Sequence, residues 1–119
     1  MSSSYVPERG DLVWLEFTPQ AGSEQRGRRP ALVLSPKAFN GKVGLALFCP
    51  VISKIMGYPF EVQLPDGYGV SGVVLSDQLK SLDGRSRKAK LIERVSSDVM
   101  ALVAARLLSL LQPDTPATL

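Results

Sequence analysis

The sequence predicts a mainly β fold with α, in which short antiparallel strands form a compact sheet or small barrel and a C-terminal helix follows. Short apolar segments of β-favouring residues alternate with Gly, Pro, Asn and Asp along most of the chain. No helix-length stretch separates these segments, so parallel βαβ packing is not expected. A strong helical pattern lies only at about 97–111. A chain of 119 residues allows one domain, 1–119, with a frayed tail from about 113.

The strand predictions rest on short segments of β-favouring residues and on the turn-forming residues between them. The first strand is predicted over DLVWLEF at 11–17, between Gly10 and Pro19. Trp14 within it is expected in the core or half-buried. The same pattern recurs in ALVLS, VGLALFCPVIS, FEVQL and SGVVLS, at 31–35, 43–53, 60–64 and 71–76. Turns are expected between them at Pro36, Asn40-Gly41, Gly57 and Asp66-Gly67.

The predicted helix has clear start and stop signals. Ser96 or Ser97 is the expected N-cap, and Pro113 lies just beyond the end. At about 100° per residue, four leucines near its C-terminal end spread over roughly 160° of the circumference: Leu107, Leu108, Leu110 and Leu111. Either the helix lies deep in its own core, or it also contacts a second subunit. We favour the second explanation.

Composition excludes several classes of chemistry. The chain has no histidine, which removes Ser-His and Cys-His nucleophilic arrangements. Cys49 is the only cysteine, so a disulfide framework or a cysteine zinc site is not expected. We expect Cys49 to be a small buried apolar residue. Catalysis would have to use carboxylates, arginines, lysines or hydroxyls, and we expect no cofactor and no metal.

The same features indicate where the protein works. A single unpaired cysteine is typical of a reducing compartment. No basic and apolar leader is visible, and the longest uncharged stretch, 43–53, is too short to span a bilayer. We therefore expect a cytoplasmic protein without a membrane span.

Positive charge is concentrated in two clusters, although the net charge is only +3. The first cluster lies at 80–94 and contains Lys80, Arg85, Arg87, Lys88, Lys90 and Arg94 against Asp83 and Glu93. The second contains Arg26, Arg28 and Arg29. Such clusters attract a phosphate backbone, since each neutralised phosphate releases counterions. A solvated face rich in Lys and Arg is the alternative.

The loop at 18–29, TPQAGSEQRGRR, is long and carries a carboxylate and a guanidinium that together suit phosphodiester cleavage. Glu24 could take or give a proton, while Arg29 could stabilise charge on the phosphoryl oxygens. In RNA the 2′-hydroxyl already lies next to the phosphorus, so no metal-bound water is required. The alternative is a screened surface pair of no catalytic consequence.

Four segments, in order along the chain, resemble the MazF/PemK family of toxin endoribonucleases. They are YVPERGDLVWLEF at 5–17, GSEQRGRRPALVLSP at 22–36, GYPFEV at 57–62 and LSDQLKSLD at 75–83. The resemblance implies an SH3-like barrel of the kind shared by CcdB and PemK, active as a homodimer on single-stranded RNA. It also implies cleavage without metal at short sequence motifs, leaving a 2′,3′-cyclic phosphate and a 5′-hydroxyl, and a MazE-like antitoxin with an acidic C-terminal segment.

The resemblance also assigns site residues. The family's catalytic arginine falls on Arg29, its acidic loop residue on Glu24, and its site threonine on Ser53. Serine keeps the hydroxyl but loses the methyl group that restricts the rotamer. The plasmid-borne branch of the family uses a histidine and an arginine two residues before the Asp of the DQ pair. This chain has Leu75 there and no histidine, so that assignment does not transfer.

Further residues are predicted to contact RNA. Tyr58 is the preferred base-stacking residue, because exposed rings near basic side chains form such platforms. Asp77 either contacts RNA or is buried and caps a turn. The remaining candidates are Arg26, Arg28, Lys54, Gln78, Lys80, Arg85, Arg87 and Lys88.

Two other functions remain open at this point. A catalytically silent RNA-binding barrel would keep the basic surface and lack the reaction. A barrel toxin like the topoisomerase poison CcdB would act through C-terminal residues. CcdB-like proteins carry a tryptophan near the C-terminus, whereas this chain ends Ala117, Thr118, Leu119, which counts against that function.

Overall fold

The structure is a computed structural model and describes residues 5–17 and 27–113. It contains seven strands and two helices in these ranges. The strands are β1 (Asp11–Phe17), β2 (Gly27–Val33), β3 (Ala46–Ile52), β4 (Glu61–Gln63), β5 (Val73–Leu75), β6 (Lys80–Leu82) and β7 (Lys90–Arg94). The helices are α1 (Lys37–Val43) and α2 (Ser97–Leu111). The predicted mainly β class with a C-terminal helix is confirmed.

All strand pairs are antiparallel, in the order β4-β5-β3-β2-β1-β7. Strand β3 has two neighbours on the side away from β2. Its first half pairs with β6, from Ala46↔Leu82 to Phe48↔Lys80. Its second half pairs with β5, where Ile52 lies opposite Val73. The sheet therefore divides beyond the middle of β3, and the turn between β5 and β6 lies beside that point.

Both faces of the sheet carry buried residues, because successive side chains of a strand point to opposite faces. One cluster contains Val13, Leu15, Phe17, Ala31, Val33, Ala46 and Phe48. The other contains Leu12, Leu32, Cys49, Val51, Val62, Leu64, Val74, Val95, Val99 and Val103. Cys49 is buried as predicted, and this burial raises the pKa of its thiol to about 12. Trp14 is half-buried, also as predicted.

The structure corrects several predicted elements. The segment 43–53 is not one strand, because Val43 ends α1 and β3 begins only at Ala46. Strand β2 begins at Gly27, before the predicted start at 31. Strands β6 and β7 lie in the basic stretch that was interpreted only as a cluster of charge. These short strands depend on pairing with β3 and β1, a long-range effect that local composition does not reveal.

Helix α1 was predicted as a turn because it contains Asn40-Gly41. Asn40 is instead buried, where its side-chain amide donates to the carbonyls of Pro7 at 2.7 Å and Ser35 at 2.9 Å. The Ser35 hydroxyl donates to Asn40 Oδ1 at 2.6 Å. These tertiary hydrogen bonds override the turn preference of Asn-Gly. Gly44 ends the helix in the left-handed region, at φ 86°.

Helix α2 has the predicted bounds, and Ser96 is its N-cap, accepting a hydrogen bond from the Val99 amide at 3.3 Å. Within it, Val99 and Val103 are the buried residues. The leucines are largely exposed: Leu102 51%, Leu108 49%, Leu110 50% and Leu111 66%. The helix is therefore not buried deep in its own core. No helix in the described residues has the length and hydropathy to cross a membrane.

Gly72 is required where β5 starts beside the end of β3. Its φ is +129°, and a Cβ there would lie 2.1 Å from the carbonyl oxygen of Ile52. We expect Gly72→Ala to lower the free energy of unfolding by about 2–4 kcal/mol, from backbone strain and this clash together. Gly67→Ala is the control, since Gly67 has φ +102° but open space around it. Denaturant unfolding should show the smaller loss for Gly67→Ala, and equal losses would contradict the clash.

Candidate active site

Two of the three predicted catalytic residues, Arg29 and Ser53, lie at one end of the sheet. Arg29 pairs with Leu15 in the β1–β2 ladder, and Ala31, two residues later, pairs with Pro50 of β3. Ser53 directly follows β3. Because β2 and β3 are antiparallel, the start of β2 and the end of β3 occupy the same end of the sheet. Arg29 and Ser53 are both exposed there. The third predicted catalytic residue, Glu24, lies outside the described residues, as does Arg26.

Arg28 contacts the basic segment of the chain. Its Nη1 lies 3.6 Å from Glu16 Oε2 and donates to the carbonyl of Lys88 at 3.3 Å. Arg87 Nη1 donates to the carbonyl of Glu16, also at 3.3 Å. The Glu16 amide in turn donates to the carbonyl of Arg87 at 2.8 Å. These bonds hold the basic segment against the end of β1, next to the strand that carries Arg29.

The turn at 83–88 is ordered by Asp83. One carboxylate oxygen accepts from the amides of Arg85 at 2.9 Å and Ser86 at 3.3 Å, and the Asp83 carbonyl accepts from the Arg87 amide at 3.0 Å. Lys88 adopts a left-handed conformation at φ 56°. The side chains of Arg85 and Lys88 are exposed, and Arg87 is half-buried. The turn thus carries exposed cations on an ordered backbone. Lys80 is separate from it, half-buried at the start of β6.

The loop at 53–60 carries Ser53, Lys54 and Tyr58 and is held by Glu61. The Glu61 carboxylate accepts from the Met56 amide, at 3.0 Å for the nearer oxygen, and from the Gly57 amide at 3.0 Å. Lys54 and Tyr58 are exposed, as expected for residues that contact a ligand. Beside Glu61, the Phe60 ring lies 5.8 Å from the Tyr58 ring between centroids, tilted by 55°.

Asp77 makes a contact for which the sequence carries no signal. It is half-buried, and its Oδ2 accepts from the Tyr58 hydroxyl at 2.5 Å. This hydrogen bond raises the pKa of the Tyr58 hydroxyl. The residue before Asp77 fixes the backbone of this turn: the Ser76 amide donates to the carbonyl of Phe60 at 3.1 Å. The neighbouring Gln78 is exposed.

A buried polar cluster around Asp11 lies outside the predicted site. Asp11 Oδ2 accepts from the Tyr5 hydroxyl and from the Glu8 amide at 3.0 Å, and Arg94 Nη2 lies 3.1 Å from Oδ1. Burial raises the pKa of the Tyr5 hydroxyl, and the hydrogen bond to Asp11 adds to the effect. Arg94 was predicted only as part of the basic cluster. Its contact depends on the β1–β7 pairing of Asp11 with Arg94, which no local signal reveals.

The geometry of the described residues suits charge stabilisation on a polyanion. Within 5–17 and 27–113, no three His, Cys, Asp or Glu side chains are arranged to hold a metal ion. An exposed guanidinium and an exposed hydroxyl instead lie at one sheet end, on Arg29 and Ser53. The basic turn contacts Arg28, the neighbour of Arg29, through the carbonyl of Lys88. Such donors can bind phosphoryl oxygens and stabilise charge that develops there.

Comparison with known proteins identifies the family. The sequence profile described as "PemK-like, MazF-like toxin of type II toxin-antitoxin system" matches residues 8–111. The Endoribonuclease toxin MazF of Escherichia coli (strain K12) is 46% identical over 107 residues, which are 90% of this chain and 96% of that protein.

Solved structures agree with the sequence comparison. A crystal structure of MazF from Deinococcus radiodurans is 61% identical and superposes with a TM-score of 0.86, over 91% of this chain and 98% of that one. A MazE-MazF crystal structure from the same organism is 61% identical, with a TM-score of 0.83 over 91% and 97% of the two chains. On this sequence and structural similarity, the chain belongs to the PemK/MazF family of type II toxin–antitoxin toxins.

Proposed function

We propose that this chain is the toxin of a type II toxin–antitoxin system and acts as a metal-independent, sequence-specific endoribonuclease on single-stranded RNA. The observation that carries the proposal is the 46% identity to an endoribonuclease toxin over 90% of the chain. The exposed Arg29 and Ser53 at one end of the sheet give the activity a location. The reaction is attack of the RNA 2′-hydroxyl on the adjacent phosphorus, which leaves a 2′,3′-cyclic phosphate and a 5′-hydroxyl.

Each candidate residue has a defined role in this reaction. Arg29 offers paired N–H donors to the phosphoryl oxygens, whose charge grows as the phosphorane forms. The Ser53 hydroxyl donates a hydrogen bond to a phosphate oxygen. Glu24 acts as the proton acceptor or donor, or it positions Arg29. Arg29 and Ser53 thus supply charge stabilisation, and Glu24 as acid or base supplies proton transfer, so this reaction does not need histidine.

The RNA path follows the basic and aromatic residues around this sheet end. Phosphates contact the basic turn at 83–88 and Arg28, while Tyr58 stacks on a base. Lys54, Lys80 and Gln78 extend the same surface. The ordered turn supports this path, since its hydrogen bonds fix the backbone that carries Arg85 and Lys88.

Cleavage of a long RNA in EDTA is the test of the function. The purified protein should cut it at defined sites. Polynucleotide kinase should label the new 5′-hydroxyl ends without prior phosphatase treatment. A chimeric oligonucleotide with one ribose at the mapped site should be cut, and its 2′-deoxy counterpart should not. Retention of RNA without cleavage would indicate a silent binding barrel, and inhibition of topoisomerase would indicate a CcdB-like poison. Cleavage of the deoxy counterpart would refute the 2′-hydroxyl mechanism.

Neutralising the basic turn should weaken RNA binding and flatten its salt dependence. We expect Arg85→Gln with Lys88→Gln to reduce the slope of log K against log salt by about 1 to 1.5, since each single-strand phosphate contact contributes about 0.7. Arg87 is left intact because it bonds the carbonyl of Glu16. Lys37→Gln with Lys42→Gln, exposed on α1, is the charge-matched control. Filter binding over a salt series measures both pairs, and equal slopes would make the turn a solvated face.

We also propose that the toxin is a homodimer. One side of α2, Leu47 of β3 and Leu34 just after β2 line a mostly apolar groove, named here the α2 groove. Its lining residues are Arg9, Leu34, Leu47, Ser97, Met100, Ala101, Ala104, Leu107, Leu108 and Leu111. Val99 and Val103 face the body of the protein from another side of the helix. A second apolar side on the same helix favours burial against a second copy across a two-fold axis.

The toxin is also proposed to bind an antitoxin and to act in the cytoplasm. A MazE-like antitoxin with an acidic C-terminal segment would occupy the RNA path, because a carboxylate-rich peptide can match the same cations as the phosphates. The MazE-MazF complexes among the similar structures support such a partner. A cytoplasmic location is consistent with a buried, unpaired Cys49.

A further inference from the structure

We propose that Asp77 is a positioning residue, which holds the Tyr58 ring as a fixed platform for one RNA base. The inference rests on the proposed function and adds a residue pair to it. Each of the two residues was predicted separately as an RNA contact. The hydrogen bond between them gives Asp77 a specific task that does not require it to touch RNA or to transfer a proton.

The Tyr58 hydroxyl is bound while its ring is exposed. The hydroxyl donates to Asp77 Oδ2 at 2.5 Å, and the residue is 44% exposed. Phe60 supports the ring at 5.8 Å between centroids. A tyrosine side chain has two main torsions, and fixing both ends of the ring removes most of its freedom before a base arrives. Stacking then loses less conformational entropy.

The backbone on both sides of the pair is also fixed. Glu61 accepts from the amides of Met56 and Gly57, just before Tyr58. Ser76, just before Asp77, is fully buried and donates twice to the Phe60 carbonyl, through its amide and its hydroxyl. The donor and the acceptor of the hydrogen bond therefore start from anchored positions, as a preorganised platform requires.

Asp77 depends on Tyr58 in return. Its Oδ1 is inaccessible to solvent and has no hydrogen-bond partner among the residues that the structure describes. The other carboxylate oxygen, Oδ2, accepts the hydrogen bond from the Tyr58 hydroxyl. Removing the Tyr58 hydroxyl takes this hydrogen bond from a half-buried carboxylate, which lowers the stability of the folded protein. The two side chains therefore form one unit, and their substitutions should not be additive.

Affinity for a non-cleavable oligonucleotide, with 2′-deoxyribose at a mapped cleavage site, tests the pair. We expect Tyr58→Phe and Asp77→Ala each to weaken binding by about 5- to 10-fold, and the double variant to be no weaker than either single one. Asp77→Asn keeps an acceptor oxygen and should retain most of the affinity and of the cleavage rate. A proton-transfer role would instead make Asp77→Asn as inactive in cleavage as Asp77→Ala.

A scan of single abasic nucleotides identifies the stacked base. At one position the abasic site should weaken binding to the wild-type protein, while Tyr58→Leu binds the intact and abasic oligonucleotides equally. With the abasic site at that position, Asp77→Ala and the wild-type protein should bind with equal affinity, since there is no base left to stack on Tyr58. Additive single variants, or an Asp77→Ala defect that persists at every abasic position, would overturn the inference.

Ultraviolet titration of the tyrosines reads the hydrogen bond without RNA. The pKa of Tyr5 is also raised, so the transition that Tyr58→Phe removes identifies Tyr58. The Asp77 carboxylate raises the pKa of Tyr58, so Asp77→Ala should shift that transition toward the ordinary value of about 10. A Tyr58 transition that stays in place in Asp77→Ala overturns the platform alone. A wild-type protein that neither binds nor cuts RNA overturns the proposed function, and the platform with it.

Discussion

Replacing Arg29 with alanine is expected to slow RNA cleavage by about 10²- to 10³-fold and to change RNA affinity by no more than about threefold. The reason is that charge accumulates on the phosphoryl oxygens only as the phosphorane forms. A guanidinium aimed at these oxygens therefore binds the transition state more tightly than the bound RNA. Arg29 lies at an exposed strand end, where a phosphate can reach it.

Lysine at position 29 should restore only part of the rate. It retains the charge but lacks the planar fork that serves two oxygens at once. Arg28→Ala is the matched control, since Arg28 is the adjacent exposed arginine and already pairs with Glu16 at 3.6 Å. We expect Arg28→Ala to weaken binding in a salt-dependent manner and to leave the single-turnover rate near that of wild type.

Single-turnover kinetics on the one-ribose chimera separates rate from affinity. An Arg29→Ala variant that cuts at the wild-type rate would remove Arg29 from the site. Equal losses for Arg28→Ala and Arg29→Ala would reduce both residues to general electrostatic binding. Glu24→Gln should also slow cleavage, by about 10²- to 10⁴-fold if Glu24 transfers a proton. A loss smaller than this would leave Glu24 a positioning residue for Arg29.

The elements predicted accurately are those with strong local signals. Strand β1 and helix α2 have the predicted bounds, because Gly10 precedes the strand and Ser96 caps the helix. The strands within the basic stretch and helix α1 were missed for another reason. Strands β6 and β7 form because they pair with the distant strands β3 and β1. Helix α1 forms because its Asn40 makes buried hydrogen bonds.

The candidate site was also only partly predictable from the sequence. Residue type and resemblance to the family were enough to select Arg29, Ser53 and Tyr58 as candidates. They could not join Tyr58 to Asp77, which is 19 positions away in the sequence and reaches it only because the 53–60 loop folds beside the turn after β5. Nor could they indicate that Glu61 holds that loop by two backbone amides. Side-chain to backbone bonds of this kind depend on loop geometry and have no periodic signal.

The α2 groove leads to the second large expected effect, on assembly. Leu108 lines this groove and is 49% exposed in the single chain. Leu102 is exposed to the same degree, at 51%, and does not line the groove. At about 100° per residue the two side chains point about 120° apart around the helix. The same substitution can therefore be made at two leucines of nearly equal exposure that lie on different sides of one helix.

Leu108→Glu is therefore expected to dissociate the homodimer, and Leu102→Glu is expected to leave it intact. A carboxylate buried without a partner at an interface costs about 3 kcal/mol or more, which raises the dimer dissociation constant by about 10²-fold or more. Light scattering at micromolar concentration should then give a mass near 12.9 kDa for Leu108→Glu and twice that for wild type and Leu102→Glu. Both substitutions add a charge to an exposed helical position, so both variants should unfold at nearly the same denaturant concentration when monomeric. A wild-type mass of one chain would refute the homodimer, whereas a dimeric Leu108→Glu variant would move its interface away from the α2 groove.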